Sequence, residues 1–214
     1  MAVIESGASV DLLTIDPTAK AARVLLYAPD GTPLVYPSLT GRSVANVLVR
    51  QSAATAAGAS VWGLHEPTAG RTIYITKIWL KPSFDGAAAL THMRYELIKA
   101  TGVTSFTGGV VVTPLIKRTS IGAPNAVARV LDTGLTLTGA TFGGAFYTLN
   151  YQRILSGAAL ATTMGYITGP VHVLEFNPPI ELAQNEALAI RNGPTNASVI
   201  GDTLMGGVEF QEST

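Results

Sequence analysis

HMRYELIK, residues 92–99, alternates with period two: Met93, Tyr95 and Leu97 share one face of an extended chain, and His92, Arg94 and Glu96 share the other. FYTLNYQRIL, residues 146–155, repeats the pattern, with Tyr147, Leu149 and Tyr151 set against Thr148, Asn150 and Gln152. RTIYITKIWLK, residues 71–81, carries Ile73 and Ile75 and then Ile78 and Leu80, a slip of phase that places a bulge near Thr76 and Lys77. Further strands are expected over 110–117, 126–132, 171–176, 187–192 and 207–212, separated by Gly-Gly, Asn-Gly, Pro-Pro and Gly-Pro punctuation. No window sustains the i, i+3, i+4, i+7 apolar spacing of a capped helix. The chain therefore reads as all-β, an antiparallel sandwich or barrel running from about Ala59 to the C-terminus.

Residues 1–50 read differently. They offer one short hairpin, VLLY and PLVY about the turn Ala28-Pro29-Asp30-Gly31, and nothing else able to bury a core. They are expected to form an extended arm. Residues 51–58, rich in small side chains, read as a linker or as an edge strand, and residues 59–214 as the sandwich.

Composition narrows the classes of function. Lys+Arg and Asp+Glu are 14 each, so the formal net charge is zero and a strongly basic nucleic-acid binder is excluded. Charged residues are 13% of the chain, about half the usual share, and Ala, Thr and Gly together fill 76 positions. The deficit is local: residues 133–174 contain Arg153 and no other Asp, Glu, Lys or Arg. Gly and Thr interrupt that stretch throughout, so it is no membrane helix, and no membrane or nucleic-acid partner is expected. Cysteine is absent, and the first 20 residues lack the basic and apolar regions of a secretory signal.

Motifs that carry chemistry are sparse. His65, His92 and His172 lack metal-ligand spacing, and no nucleophile elbow, phosphate loop or dinucleotide fingerprint occurs. His92, Arg94 and Glu96 share a strand face that suits acid/base work or a carbohydrate contact, but a solvated polar face accounts for them as well. His65-Glu66-Pro67 reads as a loop. Trp62, Trp79, Tyr147, Tyr151 and Tyr166 are candidates for a stacking platform, although aromatics alternating along strands usually belong to a core. Gly58, Gly108, Gly109, Gly143 and Gly144 read as turn or bulge positions, and Asn196-Ala197-Ser198 as a chance sequon. No catalytic, cofactor-binding or metal residue is singled out.

Two segments carry a resemblance. GASVDLLTIDPTAKAARVLLYAPDGTPL, residues 7–34, resembles the N-terminal arm of virion structural proteins of tailed bacteriophages through Thr14, Asp16, Thr18, Lys20, Ala21, Arg23 and Val24. NPPIELAQNEALAIRN, residues 177–192, is similar to the penultimate hairpin of their jelly-roll domains, with Pro179, Ile180 and Leu182 ending one strand and Glu186, Leu188 and Ile190 starting the next. The resemblance implies a jelly-roll sandwich and a non-enzymatic virion component without cofactor, assembled in the host cytoplasm. Its leading form is a capsid decoration (cement) or head-fibre protein, a homotrimer attached by its arm to the major capsid protein or another virion protein. The alternative is a receptor- or carbohydrate-binding module at a tail-fibre tip.

Overall fold

The computed structural model describes residues 14–15, 22–23, 42–51, 54–85, 91–117, 122–153, 166–168, 170–198 and 202–213. They divide between two compact units, residues 1–40 and residues 41–214. In the first, β1 (Thr14–Ile15) pairs antiparallel with β2 (Ala22–Arg23). The hairpin expected about Pro29 lies outside the described residues.

The second unit is all-β, and its eight principal strands form nested pairs. These are β3 (Arg42–Gln51), β4 (Ser60–His65), β5 (Ile73–Asp85), β6 (Thr91–Thr101), β10 (Thr141–Arg153), β12 (His172–Leu182), β13 (Glu186–Asn192) and β14 (Asp202–Ser213). The first pairs with the last, β4 with β13, β5 with β12, and β6 with β10, all antiparallel. A long hairpin rolled on itself gives this nesting, which is the jelly-roll path. One sheet runs β3-β14-β5-β12 and the other β4-β13-β6-β10. The short β11 (Tyr166–Thr168) lies end to end with β12 along β5. The closing segment was expected to form a hairpin. Its strands, β12 and β13, are consecutive but belong to opposite sheets.

Residues 42–51 correct the expected boundary of the arm. β3 pairs with β14 from Arg42 to Gln51 and buries Ala45, Val47 and Val49, so it belongs to the sandwich. Its pattern was obscured because Leu48, on the opposite face, is apolar as well and 47% exposed. The stretch after Gln51 is tied down by Asn192, whose Nδ2 donates to the carbonyls of Thr55 and Ala56.

Between β6 and β10 the chain makes an excursion through β7 (Ser105–Val112), β8 (Leu115–Ile116) and β9 (Val127–Thr138). It begins and ends where Gly102 and Gly139 meet. Both have positive φ, and a Cβ at Gly139 would stand 2.5 Å from the Gly102 carbonyl oxygen. β9 pairs with β7 and also with β4, while β8 pairs with β3. A parallel bridge between Gln51 and Leu131 joins β3 to β9. The excursion thereby links the two sheets along one side. It also covers the β4 part of the second sheet's outer face, where the Phe106 ring lies over Gly63 and 5.5 Å from the His65 ring.

That cover explains why all six residues of β4 are buried, a pattern without alternation. Trp62 and Leu64 face inward with Leu97 and Ile190 opposite Ile78, Val208 and Phe210, whereas Gly63, His65, Ile98 and Ala189 lie under the excursion. Trp62 Nε1 donates across the sandwich to the Leu48 carbonyl, 3.1 Å away. The slip in β5 is a bulge at Thr76: Lys77 pairs with Glu209 and Ile75 with Phe210, and Ile73, Ile75, Ile78 and Leu80 are all buried as a result.

Candidate functional site

The two long sides of the sandwich differ. One is stitched by β8, β9 and the Gln51–Leu131 bridge. On the other, β10 pairs with β6 and β12 with β5, and no further strand among the described residues pairs with either. Tyr147 of β10 and His172 of β12 meet across the sheets, with Tyr147 Oη and His172 Nδ1 2.9 Å apart. Free edges recruit further strands, and soluble proteins usually blunt them with charge, proline or bulges. Register shifts between Phe142 and Tyr147 blunt the first half of β10. The regular half, from Tyr147 to Gln152, has no charged residue, and Arg153 closes it.

The charge-poor stretch noted in the sequence thus supplies β10 and the start of β12, the outermost described strands on one side. Apolar surface accompanies them: Phe146 is 53% exposed, Val171 54% and Val173 52%. Val173 also begins a cross-strand row over the outer face of the first sheet, continuing through Trp79 and Gly207 to Leu48. Trp79 lies over Gly207, whose Cβ would come within 2.6 Å of the indole nitrogen. The next row is charged but self-neutralised, Lys117 pairing with Glu209 and Lys77 with Glu175, each at 2.8 Å. An apolar belt extending from an open edge is an association surface by its physical character.

The polar residues singled out earlier fall into two clusters. His92 is exposed and Arg94 half-buried, but Glu96 is buried, which corrects the solvated polar face expected for this strand. Glu96 accepts from Arg94 Nη2 at 2.8 Å, and from Arg191 Nε at 3.0 Å and Nη2 at 2.9 Å. β13 delivers Arg191 opposite Glu96, a pairing between residues 95 apart that sequence spacing does not reveal.

The second cluster lies at one end of the sandwich. His65 closes β4, so it is not in a loop, and Glu66 beside it is fully buried. Glu66 Oε1 accepts from the Thr68 amide at 2.8 Å, while Oε2 is buried without a hydrogen-bond partner. Burial pushes the Glu66 carboxyl above the usual carboxylate range; the nearby Glu212 carboxylate adds to the rise, and the Thr68 amide and Arg71 oppose it. Glu212, also buried, accepts from Arg71 at 2.7 Å and from the amides of Asn125 and Ala126 at 3.0 and 2.8 Å. Burial likewise lowers the His65 imidazole, against a hydrogen bond with the Val103 backbone.

The described aromatic candidates do not form a platform. Trp62 is fully buried and Tyr151 5% exposed, both in the core, Tyr147 is held by His172, and Trp79 lies on the outer face of the other sheet. The Tyr166 side chain lies outside the described residues. Gly58 occupies a turn, Gly108 and Gly109 flank the β7 bulge, and Gly143 and Gly144 sit in the irregular start of β10. Among the described residues no three His, Asp or Glu side chains are grouped to hold a metal ion, and no helix is long and apolar enough to cross a membrane.

No protein-family model, curated protein or solved structure matches the chain. A jelly roll serves capsid proteins, lectins and enzymes alike, so the fold alone names no activity.

Proposed function

We propose that the chain is a self-assembling structural component of a phage virion, a capsid decoration protein acting as a homotrimer. One observation carries the assembly part of this reading: β10 from Tyr147 to Gln152 and the start of β12 carry no Asp, Glu, Lys or Arg and lie outermost among the described strands on the same side, next to exposed Phe146, Val171 and Val173. Strand pairing or close packing of small residues about a symmetry axis would cover that side. The resemblance of residues 7–34 to phage virion arms supports the virion part, with residues 1–40 attaching the sandwich to the capsid surface. Many copies on a lattice would hold capsomers by avidity.

The test uses undecorated particles. The full chain is expected to bind them, and a chain beginning at Gly41, which keeps β3 whole, is expected to lose binding while remaining folded. Equal binding by the shortened chain would overturn the role of the arm.

A further inference from the structure

Among the described residues, the cluster on the outer face of the second sheet leaves a positive charge unbalanced. Arg94 and Arg191 share the single carboxylate of Glu96, whereas Arg71, Lys77, Lys99 and Lys117 each have a glutamate partner. Both guanidinium groups are held in place. The Arg94 stem lies against Gly193, where a Cβ would stand 3.0 Å from its Cγ and Cδ. The Arg94 side chain is nevertheless 41% exposed, and its Nε–H is buried without an acceptor. Arg191 is clamped between Glu96 and the Phe142 ring, its Cζ 5.1 Å from the ring centroid.

Neutral hydrogen-bonding groups surround this pair. Register places Thr148 opposite Glu96 and the exposed Asn150 opposite Arg94, so both share the face of the arginines. Asn196 reaches the same corner, donating through Nδ2 to the carbonyl of the exposed His92 at 3.2 Å. Two fixed guanidinium groups in excess over one carboxylate suit an added carboxylate, which arginine receives in a planar fork. Amide and hydroxyl side chains beside them suit a ring of hydroxyls. We propose that this face binds an acidic saccharide, its carboxylate on Arg94 and Arg191 and its hydroxyls on Thr148, Asn150 and Asn196. The proposal does not depend on the virion reading.

The experiment titrates the full, isotope-labelled chain with N-acetylneuraminic acid and with glucuronic acid, following amide and arginine side-chain resonances by NMR. Saturable shifts confined to residues 92–96, 148–150 and 191–196 are expected, weakening as salt is raised. Arg94→Gln leaves Glu96 held by both contacts to Arg191 and is expected to weaken binding at least about tenfold, the loss of one charge-assisted hydrogen bond. Asn150→Ala, at an exposed position, is expected to weaken it without disturbing the fold. The proposal is overturned if neither sugar acid gives saturable shifts, if acetate or neutral glucose gives the same shifts, or if both variants bind like the unaltered chain. Unchanged sedimentation of Arg94→Gln would separate this outcome from any failure of self-assembly.

Discussion

Replacing Glu66 by glutamine should stabilise the protein at pH 8 and leave it unchanged at low pH. Glu66 is fully buried, and only Oε1 has a hydrogen-bond partner. Leaving a buried polar atom unpartnered costs about 1–3 kcal/mol and more when the group is charged, so the glutamine amide standing in the place of Oε2 still costs something, but less than the carboxylate. Glutamine keeps the oxygen that accepts from Thr68 and removes the charge that burial and Glu212 both oppose. It also gives up the attraction of Arg71, the smallest of the influences on this carboxyl, so the net gain should lie near the lower end, about 1 kcal/mol. For a domain of this size that is a rise of about 2–4 °C in Tm. The sign with pH follows from the raised folded-state value. A carboxyl whose folded value lies above its unfolded value of 4.5 contributes stability that is fully present below 4.5 and is lost as pH rises through the folded value. The unaltered chain loses that contribution on going from acid to pH 8 and the glutamine variant does not, so the difference between them should grow upward from about pH 4. Urea unfolding of both proteins across pH 4 to 8 measures it. A variant less stable at pH 8, or a difference that persists undiminished at pH 4, would refute the reasoning.

Three other substitutions probe the packing. Gly206→Ala should cost about 3 kcal/mol or more, because its Cβ would be driven into the Trp79 carbonyl within the β14–β5 ladder, and thermal melts will register it. Trp62→Phe should cost about 2 kcal/mol by leaving the Leu48 carbonyl without its indole donor, measured by denaturant unfolding at unchanged m-value. Glu96→Gln should cost about 2–3 kcal/mol, less than a fully buried pair because both arginines keep partial access to water; a loss under about 0.5 kcal/mol in urea unfolding would show that the network is slack.

Where one face of a strand meets water, the sequence was legible. Met93, Tyr95 and Leu97, and Leu149 and Tyr151, point inward as their alternation predicts, and the bulge at Thr76 follows from the spacing of four isoleucines and leucines. Reading failed where both faces carry apolar residues. β4 is buried throughout because the β7–β9 excursion covers its outer side, and β3 carries Leu48 on the face opposite Val47 and Val49. The nested pairing of β3 with β14 and β4 with β13 joins residues far apart in the chain, which local periodicity cannot report. The same holds for the polar cluster: His92, Arg94 and Glu96 were visible as a face, but Arg191, which makes Glu96 a buried ion pair, arrives from another strand. The charge gap over 133–174 was plain in the sequence. What required the fold was that it supplies β10 and the start of β12, the outermost described strands of the two sheets on one side.

Sedimentation velocity on the full chain, with and without Val173→Lys, tests that central claim most directly. Val173 is exposed on the edge strand β12, so the substitution leaves the core untouched while placing a charge on the proposed contact. The account predicts a three-chain species for the unaltered protein and a shift to monomer for the variant. A monomer in both across the micromolar range, or a trimer indifferent to the lysine, would contradict it.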